Sequence, residues 1–207
     1  LLTLINDILD LSKIESGTTS IDLGRVRFRD IEDDVERTFQ QIAQQKGLDL
    51  SIQVDQSLPG TITTDPTRLQ QILKNLLSNA FKFTETGSVE LRIGAMSSGW
   101  SDDNEALNRA PTVVAFSVID TGIGIPEEKQ SIIFEAFQQA DMDTSRRFGG
   151  TGLGLSMVKS FIELHGGRVV LESFPEVGTT VTCYLPHHPP LTMAEEASFL
   201  ASTNPAA

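Results

Sequence analysis

The chain has 207 residues, 39% hydrophobic and 6% aromatic, enough for one substantial domain with an appendage. A formal net charge of -12 argues against a surface built to bind nucleic acid or anionic lipid, so a bound polyanion would need local donors and a metal. The single cysteine, Cys183, excludes an intramolecular disulfide, and no apolar run reaches the roughly 20 residues of a membrane span.

Residues 1–16 read as a helix with Leu1, Leu4, Ile5, Ile8 and Leu11 on one wide face, stopped by Gly17. That breadth suits a bundle or coiled-coil helix separated from its partners. The chain opens at Leu1 inside this pattern, which suggests a fragment of a longer protein with or without a membrane anchor elsewhere. With no signal peptide, the piece reads as cytoplasmic.

Residues 18–26 predict a short strand, 28–46 a helix ended by Gly47, and 48–54 a strand with Leu48, Leu50, Ile52 and Val54 alternating. Asp65-Pro66 starts a helix: an N-cap acceptor, then a proline whose missing N–H does no harm. Leu69, Ile72, Leu73, Leu76, Leu77, Ala80 and Phe81 point inward from it. Residues 88–95 and 112–119 are strands, and the polar stretch 96–111 reads as a surface excursion. A short helix is expected over 127–136, a loop over 138–150 and a helix over 152–165. Strands at 168–173 and 179–185 complete a single α/β layer structure over residues 18–186, and residues 187–207 have the composition of a linker.

Three places carry chemistry. Asn75 and Asn79 lie one turn apart on one helix face bordered by leucines, and Lys82 follows. Asparagine is a poor helix former, so the pair has either a packing role or a ligand; a carboxamide oxygen can bind Mg2+ without repelling phosphate. Asp120 closes an apolar strand and abuts Gly122 and Gly124. It is either a turn aspartate or a partly buried acceptor for an amine such as adenine N6. Gly149, Gly150, Gly152 and Gly154 precede a helix, where backbone N–H groups can approach phosphate. No Lys-Ser/Thr follows, as a P-loop requires, and no strand precedes, as a dinucleotide fingerprint requires.

Together these blocks resemble the ATP-binding catalytic domain of two-component sensor histidine kinases, in the superfamily shared with gyrase and the Hsp90 chaperones. The N box resembles Asn75–Phe83, the first G box Asp120–Pro126, the F box Phe134–Phe137 and the second G box Gly150–Leu155. The implied fold is a two-layer α/β sandwich, a mixed β-sheet with helices on one face (the Bergerat-type ATP-binding fold). The implied ligands are ATP and Mg2+. Residues 1–17 resemble the end of the dimerisation and phosphoacceptor helix. FQQAD at residues 137–141 resembles the hybrid branch, which carries a downstream receiver domain.

By position, the resemblance implies Asn79 on Mg2+, with Asn75 and Lys82 near the phosphates. It puts Asp120 on adenine with Gly122, Gly124 and Ile125 at the base, and Phe83 beside the pocket. Phe137 and Gln139 would begin a lid over residues 141–148, in which Arg146 and Arg147 reach phosphate or the partner helix. Gln139 departs from the basic residue that many members carry. Gly150, Thr151, Gly152, Leu153, Gly154 and Leu155 would cradle phosphate, and Thr179 would contact the purine. The gyrase and chaperone branch has a glutamate where Asn75 stands, so hydrolysis here lacks its general base. The implied activity is γ-phosphoryl transfer to a histidine on a helical hairpin of the same protein or its dimer mate. His165, at a helix end, and His187 and His188, in the tail or as a chance metal pair, do not resemble that acceptor. It is expected upstream of Leu1. An ATP-driven clamp, a nucleotide-regulated binding module and a serine-directed kinase are the alternatives.

Overall fold

The computed structural model describes residues 8–9, 12–13, 16, 21–136 and 152–189. Strand β1 (Gly24–Arg27) leads directly into helix α1 (Phe28–Lys46). Then come β2 (Asp49–Val54), β3 (Thr61–Thr64), α2 (Pro66–Phe83), β4 (Ser88–Met96) and the short α3 (Glu105–Arg109). After β5 (Val113–Asp120) and one turn of α4 (Glu127–Gln130), α5 (Gly154–Leu164) precedes the strands β6 (Arg168–Phe174) and β7 (Gly178–Pro186).

Two sheets result. β1 and β3 pair antiparallel, and the five-stranded sheet has the order β2-β4-β5-β7-β6. In it β2 runs parallel to β4 and the other pairings are antiparallel, so the sheet is mixed. Alternation along the strands sends Val114, Phe116, Val118, Val181, Cys183 and Leu185 into one core with α1, α2 and α5. Fully burying each such side chain contributes about 1.5–3 kcal/mol. Phe39 stacks on Phe81 with ring centroids 5.5 Å apart, which holds α1 against α2. Cys183 lies wholly inside this core, and burial pushes its thiol up to about 12. It is chemically inert there.

The opposite face is not bare. The polar stretch expected to be a surface excursion contains α3, whose Leu107 packs with Val113, Ala115 and Tyr184 in a second small cluster joined by Trp100. The helix expected over 127–136 is regular only over Glu127–Gln130, and β1 begins at Gly24, later than expected. β3 escaped prediction. His187 and His188, grouped with the tail on sequence, are attached to it: His187 Nε2 lies 2.6 Å from the Thr61 carbonyl, and its own carbonyl accepts the Thr63 N–H at 3.1 Å. His188 Nδ1 lies 3.1 Å from Thr63 Oγ1. Among the described residues, no helix is long and apolar enough to cross a membrane.

Candidate functional site

Helix α2 is fixed at both ends. Asp65 caps its start, accepting the Arg68 N–H at 3.1 Å through one carboxylate oxygen and the Asp22 N–H at 3.2 Å through the other. At its C-terminus, the Lys46 ammonium at the end of α1 donates to the carbonyls of Phe81 and Thr84. Seven apolar residues of α2 are buried, the same seven expected from the spacing. That burial sets the rotation of the helix, so Asn75, Asn79, Lys82 and Phe83 fall half-buried along the edge of the core. Burial lowers the Lys82 ammonium from its ordinary value, and Nζ sits 4.7 Å from the centre of the Phe83 ring.

Asp120 ends β5 on the helix-facing side, in register with Val89 of β4 and Thr179 of β7. Its Oδ1 accepts the Gly122 N–H at 2.8 Å. Burial pushes the carboxyl above the ordinary aspartate value, opposed by backbone N–H donors of Gly122 and Thr179. Gly122 has no room for a side chain: a Cβ there would lie 2.5 Å from the Phe83 carbonyl oxygen and 2.8 Å from Asp120 Oδ1. The Ile123 N–H donates to that same carbonyl at 3.3 Å. This contact joins the end of α2 to the loop after β5. Gly124 has φ +68° and lies against the Phe174 carbonyl, a conformation and an approach that other residues resist.

At the other end of the site, Asn75 Nδ2 donates a long 3.5 Å bond to the carbonyl of Gly154, the first residue of α5. The α5 N-terminus therefore sits beside Asn75. From Asn75 to Phe83 the helix rises about 12 Å at 1.5 Å per residue, so the asparagine end and the Asp120 end are separated by roughly that span. The Leu153 side chain is wholly buried in the main core, which leaves its backbone to face a ligand, as the glycine-rich loop reading requires. Leu155 also packs against the core. Phe137, Arg146, Arg147, Gly150 and Thr151 lie outside the described residues.

Sequence reading missed two residues that hold the loop in place. Ser173 Oγ accepts the Ile125 N–H at 2.8 Å, and Gln130 Nε2 donates to the carbonyls of Ile125 and Ser173 at 2.9 and 2.8 Å. A signal existed: Ser173 shares strand parity with the core-packed Val169 and Leu171, where a polar residue needs a reason. A groove of 660 Å³ lined by Asp30, Asp34, Leu69, Gln70 and Lys74 contains none of the expected residues. It lies across α2 from Asn75 and Asn79 by helical spacing, so it is not the same site.

Comparison with known proteins identifies the family. The family described as "Histidine kinase-, DNA gyrase B-, and HSP90-like ATPase" matches residues 64–189. Signal transduction histidine-protein kinase BarA of Escherichia coli K12 is 38% identical over 180 residues, covering 87% of this chain and 19% of that protein. Circadian input-output histidine kinase CikA of Synechococcus elongatus is 41% identical over 188 residues, covering 90% of this chain and 23% of that protein. The chain thus spans about a fifth of the length of these relatives. The crystal structure of full-length ShkA in complex with AMPPNP superposes with a TM-score of 0.73 at 30% identity, covering 92% of this chain and 36% of that one. The chain belongs to the histidine kinase-, DNA gyrase B- and HSP90-like ATPase family, as an ATP-binding domain of the two-component sensor kinase type.

Proposed function

We propose that this chain holds ATP with Mg2+ and presents the γ-phosphoryl group to a histidine on a helical hairpin, the autokinase step of two-component signalling. The observation that carries the reading is the half-buried polar edge of α2. It runs from Asn75, beside the α5 N-terminus, past Asn79 and Lys82 to Phe83, which touches the Gly122 loop below Asp120. A structure of the relative ShkA holds AMPPNP, which supports the same ligand class here.

In this reading Asp120 accepts hydrogen bonds from the 6-amino group of adenine, while Gly122, Gly124 and Ile125 let the base approach the backbone. Asn75, Lys82 and the α5 N-terminus from Gly152 to Leu155 face the phosphates, where an anion is favoured. Thr179 stands beside Asp120 at the base. Among the described residues no group of three or more His, Cys, Asp or Glu is placed to hold a metal ion. A metal here would rely on the neutral oxygen of Asn79, on water and on phosphate oxygens, all hard oxygen ligands of the kind Mg2+ takes. When bound it neutralises charge on the transferring phosphoryl group. Asn75 cannot take a proton from water at neutral pH, so phosphate is kept for a protein nucleophile.

The three histidines of the chain stand away from this edge. His165 follows the far end of α5, is 4% exposed and has Nδ1 2.7 Å from the Phe161 carbonyl. His187 and His188 follow Pro186, which pairs with Val113 at the opposite end of β5 from Asp120. The acceptor in this proposal is therefore a histidine of another segment, in the same protein or its dimer mate, with a receiver domain as the next partner. Incubating the chain with labelled MgATP and a separate hairpin bearing a histidine should place acid-labile phosphate on the hairpin alone. Label on the isolated chain, or sustained ATP hydrolysis without the hairpin, would contradict the proposal.

A further inference from the structure

A row of polar side chains crosses the ends of three strands. Asp120 pairs with Thr179, and Thr179 pairs with Ser173. Ser173 is 5% exposed, and its hydroxyl makes three contacts. The Ile125 N–H donates to Oγ at 2.8 Å, Oγ donates to the Gly178 carbonyl at 3.1 Å, and Thr179 Oγ1 lies 2.8 Å away. A hydroxyl has one proton and two lone pairs. The one arrangement in which all three contacts are hydrogen bonds has Ser173 donating to the Gly178 carbonyl and Thr179 donating to Ser173. Thr179 is left with lone pairs only. Its neighbour Asp120, when ionised, is also acceptor-only.

We propose that Ser173 is a specificity-determining positioning residue: by taking the Thr179 proton, it keeps the base-reading end of the site free of hydroxyl donors, so that a 6-amino purine is accepted and a 6-oxo purine refused. This rests on the nucleotide reading of the site and names its discriminating device. Gln130 supports it from behind, since its amide ties the Ile125 and Ser173 carbonyls together. Without Ser173, the Thr179 hydroxyl turns freely and offers its proton to a 6-oxygen.

The test is calorimetric titration of the whole chain with MgADP and with MgIDP, which carries oxygen at position 6. Wild type, Ser173→Ala and Ser173→Cys are compared. The wild type should strongly prefer ADP, and in both variants the ADP-to-IDP affinity ratio should fall about tenfold, the equivalent of one hydrogen bond changing sense. A role confined to structure would weaken both nucleotides equally, and an unchanged ratio in a folded variant overturns the assignment. Should the alanine variant fail to fold, the near-isosteric cysteine, a poor acceptor, reads the same ratio. Wild-type protein that bound neither nucleotide would remove the nucleotide reading itself, and this assignment with it. A wild type that bound both equally would overturn the assignment alone.

Discussion

Replacing Gly122 by alanine tests whether the two halves of the site form one unit. The added Cβ would sit 2.5 Å from the Phe83 carbonyl oxygen, whereas ordinary contact begins at 3.4 Å. The obstacle is backbone, not a flexible side-chain tip, so the end of α2 and the loop after β5 must part by about 0.9 Å or strain in place. Overpacking of this kind costs about 1–3 kcal/mol, which for a chain of this size lowers Tm by roughly 3–10 °C. The displacement also breaks the Ile123 N–H bond to Phe83 and moves Asp120 Oδ1, which the same Cβ approaches at 2.8 Å. MgADP affinity should therefore fall about tenfold or more, the loss of one hydrogen bond to a charged group. Gly60→Ala is the control, because nothing lies within 4 Å of a Cβ there. It should stay within about 0.5 kcal/mol of wild type. Thermal melts with and without MgADP read both effects. A Gly122→Ala protein with wild-type melting and affinity would refute the reasoning.

Two further outcomes follow from single groups. The Asp120 carboxyl is pushed above its ordinary value by burial, so in the nucleotide-free protein its ionisation works against folding at neutral pH, and that penalty fades as pH falls through its raised value. Nucleotide binding has the opposite slope. Affinity measured by titration should decline on acidification, beginning above the ordinary aspartate range, and Asp120→Asn should flatten that decline; an unaltered profile in the variant would assign the proton elsewhere. Lys46→Met keeps the aliphatic stem but removes the ammonium from the Phe81 and Thr84 carbonyls at the end of α2. It should cost about 0.5–1.5 kcal/mol in denaturant unfolding, and a variant as stable as wild type would deny that cap.

The elements that sequence located best carry their own local stop signals. α1 closes at Gly47, whose N–H reaches the Ala43 and Gln44 carbonyls, and α2 opens at Asp65-Pro66 with the expected side-chain cap. Their apolar periodicity is long enough to fix a face. β3 is four residues whose partner is β1, far back in the chain, and α3 is five residues stabilised by packing on Tyr184. Neither has a pattern of its own to read. The site divides the same way. Asn75, Asn79 and Asp120 are conspicuous because polar groups interrupt apolar runs. Ser173 and Gln130 act through bonds spanning 48 and 43 residues, which exist only once β6 and β7 are paired.

The most direct test of the central claim is calorimetry of MgADP binding to wild type and Asp120→Asn at neutral pH. The substitution keeps the shape and removes the charge from a half-buried acceptor. Binding by the wild type, weakened in the variant by about 1.5–3 kcal/mol, is the expected result. Equal affinity in the two proteins would place the purine away from Asp120 and contradict the account.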